Sequence, residues 1–300
     1  MSVPGDHAAA AQVGRPDIDR SQCRWSATHV ITDRGRCAVW RGPGLRGQWC
    51  SHPRPHLGLW GIGYGVGMTV QASTTLAELV IEDSRRARVL ERFGIDYCCN
   101  GHRSLSDATA EADLDLDEVS KALDLPAMSA DESTKPAQQA DLAHDIIDTH
   151  HAYMWEEMPR LQALVEKVYR VHGDRHPELA KVHELFNKAL AELDPHMTKE
   201  ERSVFPAISR LEKTGSLGSF GPLAGQIDVL VQEHTVVGDL FKEINAATGG
   251  YAVPEDACGS YRAMLDGLRE MEIDLHEHIH KENYILFPGA LELERTAAGN

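Results

Sequence analysis

Four long stretches in the second half of the chain repeat apolar residues with the 3.6-residue period of an α-helix, and they constrain the fold more than any other feature. Glycines and a proline separate them, at Gly173, from Gly215 to Gly221, and at Gly249-Gly250 followed by Pro254. Strand signals are absent from this part of the sequence. Four helices joined by modest loops are typical of an up-down bundle, so the predicted fold class is all-α. The predicted helices cover residues 141–171, 176–212, 223–247 and 254–295.

Two of the predicted helices contain the same internal repeat. In the second helix His196 and Glu200 are followed by Phe205-Pro206, and in the fourth His278 and Glu282 are followed by Phe-Pro at the same spacing. Four residues advance a helix by about 400°, so the histidine and glutamate of each pair share one face. That face is the apolar one, which predicts that both pairs point into the core of the bundle.

The other two predicted helices each place one histidine, His151 or His234, among apolar residues. A single histidine in such a position is more often a satisfied core residue than a metal ligand. Two buried carboxylates without a lysine or arginine on the same faces, however, would cost several kcal/mol each unless cations neutralise them. We therefore predict a metal site, and its ligands are His151, His196, Glu200, His234, His278 and Glu282.

The identity of the metal follows less directly from the residue types. Nitrogen and oxygen ligands without thiolate suit iron, manganese or zinc. Six protein ligands are too many for one tetrahedral zinc ion and fit two ions, with each glutamate as a bridge. The sequence therefore predicts a dinuclear site without fixing the element.

A second helical region precedes the bundle. Residues 68–125 are predicted to form a small helical domain, followed by a linker over residues 126–140 that is rich in Ala, Ser, Pro and Gln. Cys98 and Cys99 lie in a predicted turn before a helix N-terminus, where a thiolate is stabilised. The position therefore makes the pair a candidate for a stabilised thiolate. The alternative is one buried structural thiol beside an incidental one.

The first 67 residues differ in character from the rest, since they contain neither lysine nor glutamate and show no periodic pattern. Residues 1–67 are predicted to be disordered or a mis-assigned N-terminal extension, with Met68 as the native start. Peptides from this segment in the native protein would refute the second possibility.

Composition narrows the class of partner and the compartment. A formal net charge of −16 argues against nucleic acid or an anionic membrane as a partner, because both repel an acidic surface. No apolar run reaches the roughly 20 residues that a membrane-spanning helix needs. Six cysteines without regular spacing do not resemble a secreted disulfide framework, which favours a cytoplasmic location.

The spacing of these histidines and glutamates, the Phe-Pro dipeptides and the motif at 96–101 (Asp-Tyr-Cys-Cys-Asn-Gly) resemble the repair-of-iron-centres family of haemerythrin-like proteins. The resemblance covers residues 74–295. Oxygen-carrying haemerythrins have a His-x-x-x-His pair, whereas this chain has glutamate at both second positions, Glu200 and Glu282. The resemblance implies a haemerythrin-like bundle over residues 141–300 that holds two non-haem iron ions, with the glutamates as bridges and the four histidines as terminal ligands.

The function implied by the resemblance is repair of iron–sulfur clusters damaged by oxidative or nitrosative stress, by donation of iron. The implied partners are damaged iron–sulfur proteins and a second copy of the chain. Glu192 and Glu233 match family positions beside the iron ligands, and the resemblance also implies a redox or partner-contact role for Cys98 and Cys99. Two other functions stay open: a sensor or carrier that binds nitric oxide or dioxygen, and a nitric oxide reductase.

Several histidines and one cysteine are assigned by position alone. His150 could compete with His151 as a ligand, although the apolar face favours His151. Cys258 is expected in the core. The histidines expected at the surface are His144, His172, His176, His183, His276 and His280.

Overall fold

The computed structural model describes residues 30–33, 36–39, 70–126 and 138–299. The chain divides into two compact units, Met1–Gly65 and Val66–Asn300. In the first unit, strands β1 (Val30–Asp33) and β2 (Arg36–Val39) pair antiparallel, with Val30 opposite Val39. The remainder of the segment predicted to be disordered or mis-assigned, and most of the predicted linker, lie outside the described residues.

The second unit begins with four short helices, and in three of them a side chain at the N-terminus accepts a backbone hydrogen bond. Thr75 and Glu78 form a reciprocal capping box at the first helix, and Ser104 and Asp115 cap the third and fourth. The helices are α1 (Leu76–Glu82), α2 (Arg86–Arg92), α3 (Leu105–Glu111) and α4 (Leu116–Leu123).

Four long helices follow and confirm the predicted all-α bundle. Helix A (139–172) joins α5 (Gln139–Ile146) to α6 (Ala152–His172), and helix B (178–214) joins α7 (Glu178–Lys199) to α8 (Phe205–Thr214). Helix C is α9 (Leu223–Ala247), and helix D (259–298) joins α10 (Gly259–Lys281) to α11 (Phe287–Ala298). Helix D begins five residues after the predicted start because Cys258, in an extended conformation, is its N-cap residue.

Helices A, B and D each contain one π-helical turn, at Ile147–His151, Glu200–Val204 and Glu282–Leu286. In helices B and D the turn is followed by Phe-Pro, with Pro206 and Pro288 in the first turn of the next α-helical segment. Proline has no N–H to donate and its ring clashes with the carbonyl four residues earlier, so a wider turn accommodates it. The repeated dipeptide thus coincides with two of the three π-turns, whereas Pro159 and Pro195 lie within α-helical segments.

The core of the second unit is divided along the bundle. One apolar cluster contains Met154, Leu193, Val237 and Leu275 and also includes the short helices, so these share a core with the long ones. A second cluster fills the other end of the bundle, and it includes Ile146, Val204, Leu230 and Leu286. In every long helix one predicted metal ligand (His151, Glu200, His234 or Glu282) lies where the sequence passes from one cluster to the other. Among the residues that the structure describes, no helix is long and apolar enough to cross a membrane.

Candidate metal centre

The bundle buries all six predicted ligands. His151 ends the π-turn of helix A, and Glu200 and Glu282 begin those of helices B and D. The backbone N–H of each glutamate bonds to the carbonyl of the histidine four residues earlier, so one helical turn links the two ligands of each repeat. The exposed fraction is 2% for His196 and His234 and 0% for the other four residues.

The six side chains form two overlapping groups of four. One contains His151 and His278, and the other contains His196 and His234. Glu200 and Glu282 belong to both groups, and the ligand atoms in each group all lie within 4.8 Å of one another. This arrangement has the composition of two adjacent cation sites that share two carboxylates.

Hydrogen bonds outside the cluster determine which nitrogen of three imidazoles carries hydrogen. His151 Nδ1 lies 3.0 Å from Glu201 Oε1, and His196 Nδ1 lies 2.9 Å from Glu233 Oε2. A carboxylate oxygen can only accept, so both Nδ1 atoms donate. In the neutral rings the Nε2 atoms are therefore unprotonated, as is typical of histidines that bind metals.

The third imidazole, His234, is oriented by an amide. Asn283 donates from Nδ2 to the carbonyl oxygen of Cys98 at 3.2 Å, which leaves its Oδ1 to accept from His234 Nδ1 at 2.9 Å. His234 Nε2 then lies 2.9 Å from Glu282 Oε2. Two acceptors at this distance repel each other unless a proton or a metal ion lies between them.

The same conflict recurs between His196 and His234, whose Nε2 atoms are 3.0 Å apart. The Nε2 atoms of His151 and His278 are 3.1 Å apart, and Nδ1 of His278 has no hydrogen-bond partner among the described residues. Neither oxygen of Glu200 has a hydrogen-bond partner among the described residues, although both are fully buried. Lone pairs converging from nitrogen and oxygen without matching donors fit bound cations, and the donor set suits iron.

Protons alone would not neutralise the six side chains uniformly, because the pKa shifts differ from one side chain to the next. Burial opposes the charged form of His234, but the hydrogen bond with Glu282 and the charges of both glutamates raise its pKa to about 9. Burial lowers the pKa of His278. Burial also disfavours the charged form of Glu282, yet the charges of His278 and His234 hold the pKa of this carboxyl well below its usual range. Cation binding must therefore displace a proton from the His234 imidazole.

Of the two acidic residues expected beside the ligands, only Glu233 contacts one of them. Glu233 bonds to His196 as described, and it also pairs with Lys199 at 2.5 Å, whereas Glu192 is exposed on α7. Sequence reasoning missed Glu201 and Asn283. A signal for both existed, because each is the residue directly after a predicted ligand and is itself a hydrogen-bonding side chain.

The neighbouring histidine, His150, is buried but takes a different position from His151. Its Nδ1 bonds to Asp274 Oδ1 at 2.9 Å, and its ring stacks on that of His278 with centroids 5.6 Å apart. The structure thus places His151, and not His150, in the group of ligand atoms. His150 instead supports the face of one ligand ring.

The turn that contains Cys98 and Cys99, here called the cysteine turn, packs against the predicted metal ligands of its own chain. Cys98 is buried and Cys99 half-buried, and their sulfur atoms are 3.7 Å apart. Asp96 Oδ1 accepts hydrogen bonds from the backbone N–H groups of both cysteines. The contact with Cys99 and burial raise the pKa of the Cys98 thiol well above its usual range, whereas the contact with Cys98 lowers the pKa of Cys99.

Asn283 joins this turn to the cluster, since it bonds both the Cys98 carbonyl and the ligand His234. Cys99 Sγ lies 3.9 Å from the carbonyl oxygen of His234. Gly238, one turn further along α9, makes room for the sulfur, because a Cβ there would lie 3.1 Å from it. The small helical region therefore directly contacts His234, one of the six predicted metal ligands.

Three residues assigned by position were placed wrongly. His280 is 4% exposed, with its ring 5.5 Å from that of Tyr97, and His172 is 5% exposed, so neither is a surface residue. Both lie where short helices or loops cover a bundle face that the helical period alone treats as open. Cys258 is exposed, because it precedes the first turn of α10 and does not lie within the helix.

Comparison with known families matches the short helices and the long helices to two different families. The family described as "Hemerythrin HHE cation binding domain" matches residues 142–290. The family described as "Domain of Unknown function (DUF542)" matches residues 72–126. The first match covers the bundle that contains the cluster, and the second covers the region with the cysteine turn.

Curated relatives match both regions together. The "Iron-sulfur cluster repair protein YtfE" of Pectobacterium carotovorum is 36% identical over 225 residues, covering 73% of this chain and 97% of the relative. The "Probable iron-sulfur cluster repair protein" of Haemophilus influenzae is 34% identical over 224 residues, with coverage of 73% and 97%. The Escherichia coli O81 protein named YtfE is 34% identical over 218 residues, with coverage of 72% and 96%. These matches confirm the resemblance seen in the sequence: the chain belongs to the family of iron–sulfur cluster repair proteins.

Proposed function

We propose that this protein repairs iron–sulfur clusters damaged by oxidative or nitrosative stress, and that it does so by donating iron from a dinuclear site in the bundle. The proposed terminal ligands are the four cluster histidines, and the proposed bridges are the two glutamates. The ligand set is His151, His196, Glu200, His234, His278 and Glu282.

The observation that carries the proposal is the sharing of Glu200 and Glu282 by two groups of ligand atoms. A single ion would use only part of this set and would leave buried carboxylate oxygens or imidazole lone pairs without a partner. Two ions, each bound by two imidazoles and sharing both carboxylates, would use the lone pairs that a single ion leaves free. They would also compensate the two buried negative charges.

Iron is the substrate in this account, so its release matters as much as its binding. The chain supplies neutral imidazoles and hard carboxylate oxygens, with no thiolate among the six ligands, which suits a site that exchanges its metal. Glu201, Glu233 and Asn283 hold the imidazoles in the binding tautomer. Protons returning to the imidazoles would compete with iron and favour its transfer.

The cysteine turn is proposed to handle redox change or partner contact during this transfer. Cys99 is the thiol of the pair whose pKa is lowered, and it is half-buried, so a client protein or a small reductant has partial access to it. Asn283 would transmit a displacement of this turn to the ligand His234. A client that binds at the turn could thereby loosen the iron site.

An iron-transfer assay tests the proposal. Reduced, iron-loaded protein is mixed without oxygen with an iron–sulfur enzyme inactivated by nitric oxide, and recovery of that enzyme's activity is followed. Recovery should exceed that produced by the same amount of free ferrous iron. It should be lost in the Glu200→Gln, Glu282→Gln double variant and retained in Glu272→Gln, a matched change of a buried glutamate bonded to Asn245 outside the cluster.

The same preparations separate the alternative functions. Failure to restore the client, together with catalytic release of nitrous oxide over many turnovers, would replace the proposal with a nitric oxide reductase. Failure to restore the client, with reversible binding of nitric oxide or dioxygen and no turnover, would favour a sensor or carrier.

A further inference from the structure

A second group of reactive side chains lies at the C-terminal end of helix A, far from the six predicted metal ligands. Cys258, the exposed N-cap residue of α10, has its sulfur 3.2 Å from Nε2 of His172, which is buried. Helix α6 ends at His172, and His151 is the residue immediately before the start of α6. Along a helix this separation corresponds to roughly 30 Å, so the two groups are independent.

The orientation of the His172 ring is fixed by an arginine. Arg175 Nη2 lies 3.2 Å from His172 Nδ1, and a guanidinium can only donate. His172 Nδ1 is therefore the acceptor, and in the neutral ring the hydrogen is on Nε2. The imidazole thus donates its N–H to the sulfur of Cys258, which is the arrangement that stabilises a thiolate.

Further donors face the same sulfur from the start of α10. The hydrogen bond from the backbone N–H of Tyr261, with a further one from Ser260, lowers the pKa of the Cys258 thiol. Lys167 of α6 adds a positive charge nearby, and its Nζ is held 3.0 Å from the Ser260 hydroxyl. Donors from two helices therefore converge on one solvent-exposed sulfur.

The acidic groups near this site are already paired. Asp256 accepts from His176 Nε2 at 3.0 Å and pairs with Arg175 Nη1 at 3.2 Å. Glu178 Oε1 lies 3.0 Å from His176 Nδ1. Arg175 compensates the charge of Asp256, and the Glu178 carboxylate is hydrogen-bonded to His176, so both oppose a thiolate at Cys258 only weakly.

The surroundings of Cys258 differ from those of Cys98 and Cys99. The Cys98 sulfur is buried beside Asp96, which disfavours its thiolate, and Cys99 is covered in part by α9. Thiolate character together with exposure is the combination that makes a cysteine reactive. Cys258 combines both with a histidine donor whose tautomer is fixed.

We propose that Cys258 is a modification site that reacts with low-molecular-weight disulfides. The Cys258 thiolate attacks one sulfur of the disulfide, a new S–S bond forms to Cys258, the original S–S bond breaks, and the second sulfur leaves as a thiolate. The protein sulfur is oxidised and the leaving sulfur is reduced, so no further oxidant is required. The adduct would lie on the first turn of the helix that carries His278 and Glu282.

Full-length protein treated with oxidised glutathione at pH 7 and analysed by peptide mass spectrometry tests the proposal. The glutathione adduct should appear on Cys258 faster than on Cys98 or Cys99, and Cys258→Ser should abolish that adduct alone. His172→Phe should slow the reaction about tenfold, because a hydrogen bond to a charged group is lost. His172→Gln, which keeps an N–H donor, should slow it less.

A second variant guards against misfolding of the buried position. Arg175→Met changes a side chain that is 62% exposed, and it should slow adduct formation because the tautomer of His172 is no longer fixed. Circular dichroism verifies that each variant is folded. Reaction at Cys258 no faster than that of a free cysteine model peptide, or folded Arg175→Met and His172→Gln variants both reacting at the wild-type rate, would overturn the proposal.

Discussion

Replacing Glu201 with alanine removes the acceptor that orients a predicted iron ligand. Glu201 Oε1 accepts from His151 Nδ1 at 3.0 Å and from Trp155 Nε1 at 2.8 Å. Loss of such an outer hydrogen bond typically weakens metal binding 10- to 100-fold, or about 1.4–2.7 kcal/mol. The Glu201 side chain is 28% exposed, so water can replace part of the lost bonding. We therefore expect the lower part of this range, about tenfold.

Competition for ferrous iron with a coloured chelator, without oxygen, measures this change in affinity. Glu201→Gln should lose less, because the amide oxygen still accepts from both donors and only the charge is removed. Glu192→Ala is the matched control, since Glu192 is exposed on the same helix. Equal affinities for Glu201→Ala and Glu192→Ala would show that orientation of His151 does not contribute, and would refute the reasoning.

Four further outcomes are expected. Asn283→Ala should also lower iron affinity by about tenfold in the chelator assay, because His234 loses its acceptor. Gly101→Ala should destabilise the fold by about 1–3 kcal/mol in denaturant titrations, because a Cβ there would lie 2.7 Å from the Tyr284 ring. Burial opposes the charge of His276, but its hydrogen bond with Glu91 raises the pKa to about 9. The resulting stability should be complete below about pH 6.5 and decline as the pH rises through 9. In Glu91→Gln this dependence should weaken but persist in part, because Glu272 and Asp96 also raise the pKa of His276. Removing metal with a chelator should lower Tm in calorimetry, since the buried carboxylates lose their counter-charges.

Much of the bundle could be predicted because its information is local. The apolar period and the glycine breaks define the four long helices, and the predicted span of helix C coincides with α9. The π-turns could not be predicted from a 3.6-residue period, since that period assumes a uniform helix. The Phe-Pro repeat follows two of them, but as a sequence pattern it indicates the family and does not by itself predict a wider turn.

The candidate site shows a similar division. The six predicted ligands lie together because each occupies the apolar face of its own helix, which the sequence reveals. The hydrogen bonds around them join different helices, and the sequence does not show which helices are neighbours. Glu233 reaches His196 from helix C, whereas Glu192, although on the same helix as His196, points to solvent. Burial of His280 likewise depends on contact with Tyr97, a residue of the short helical region.

The metal content of purified full-length protein, prepared with ample iron, shows whether the bundle holds a dinuclear iron site. The comparison is with the Glu200→Gln, Glu282→Gln double variant. We expect two iron ions per chain and the near-ultraviolet absorption of a bridged ferric pair. Both signals should be lost in the double variant but retained in Glu272→Gln. A single ion per chain, zinc in place of iron, or an unchanged iron content in the double variant would contradict a dinuclear iron site held by these carboxylates.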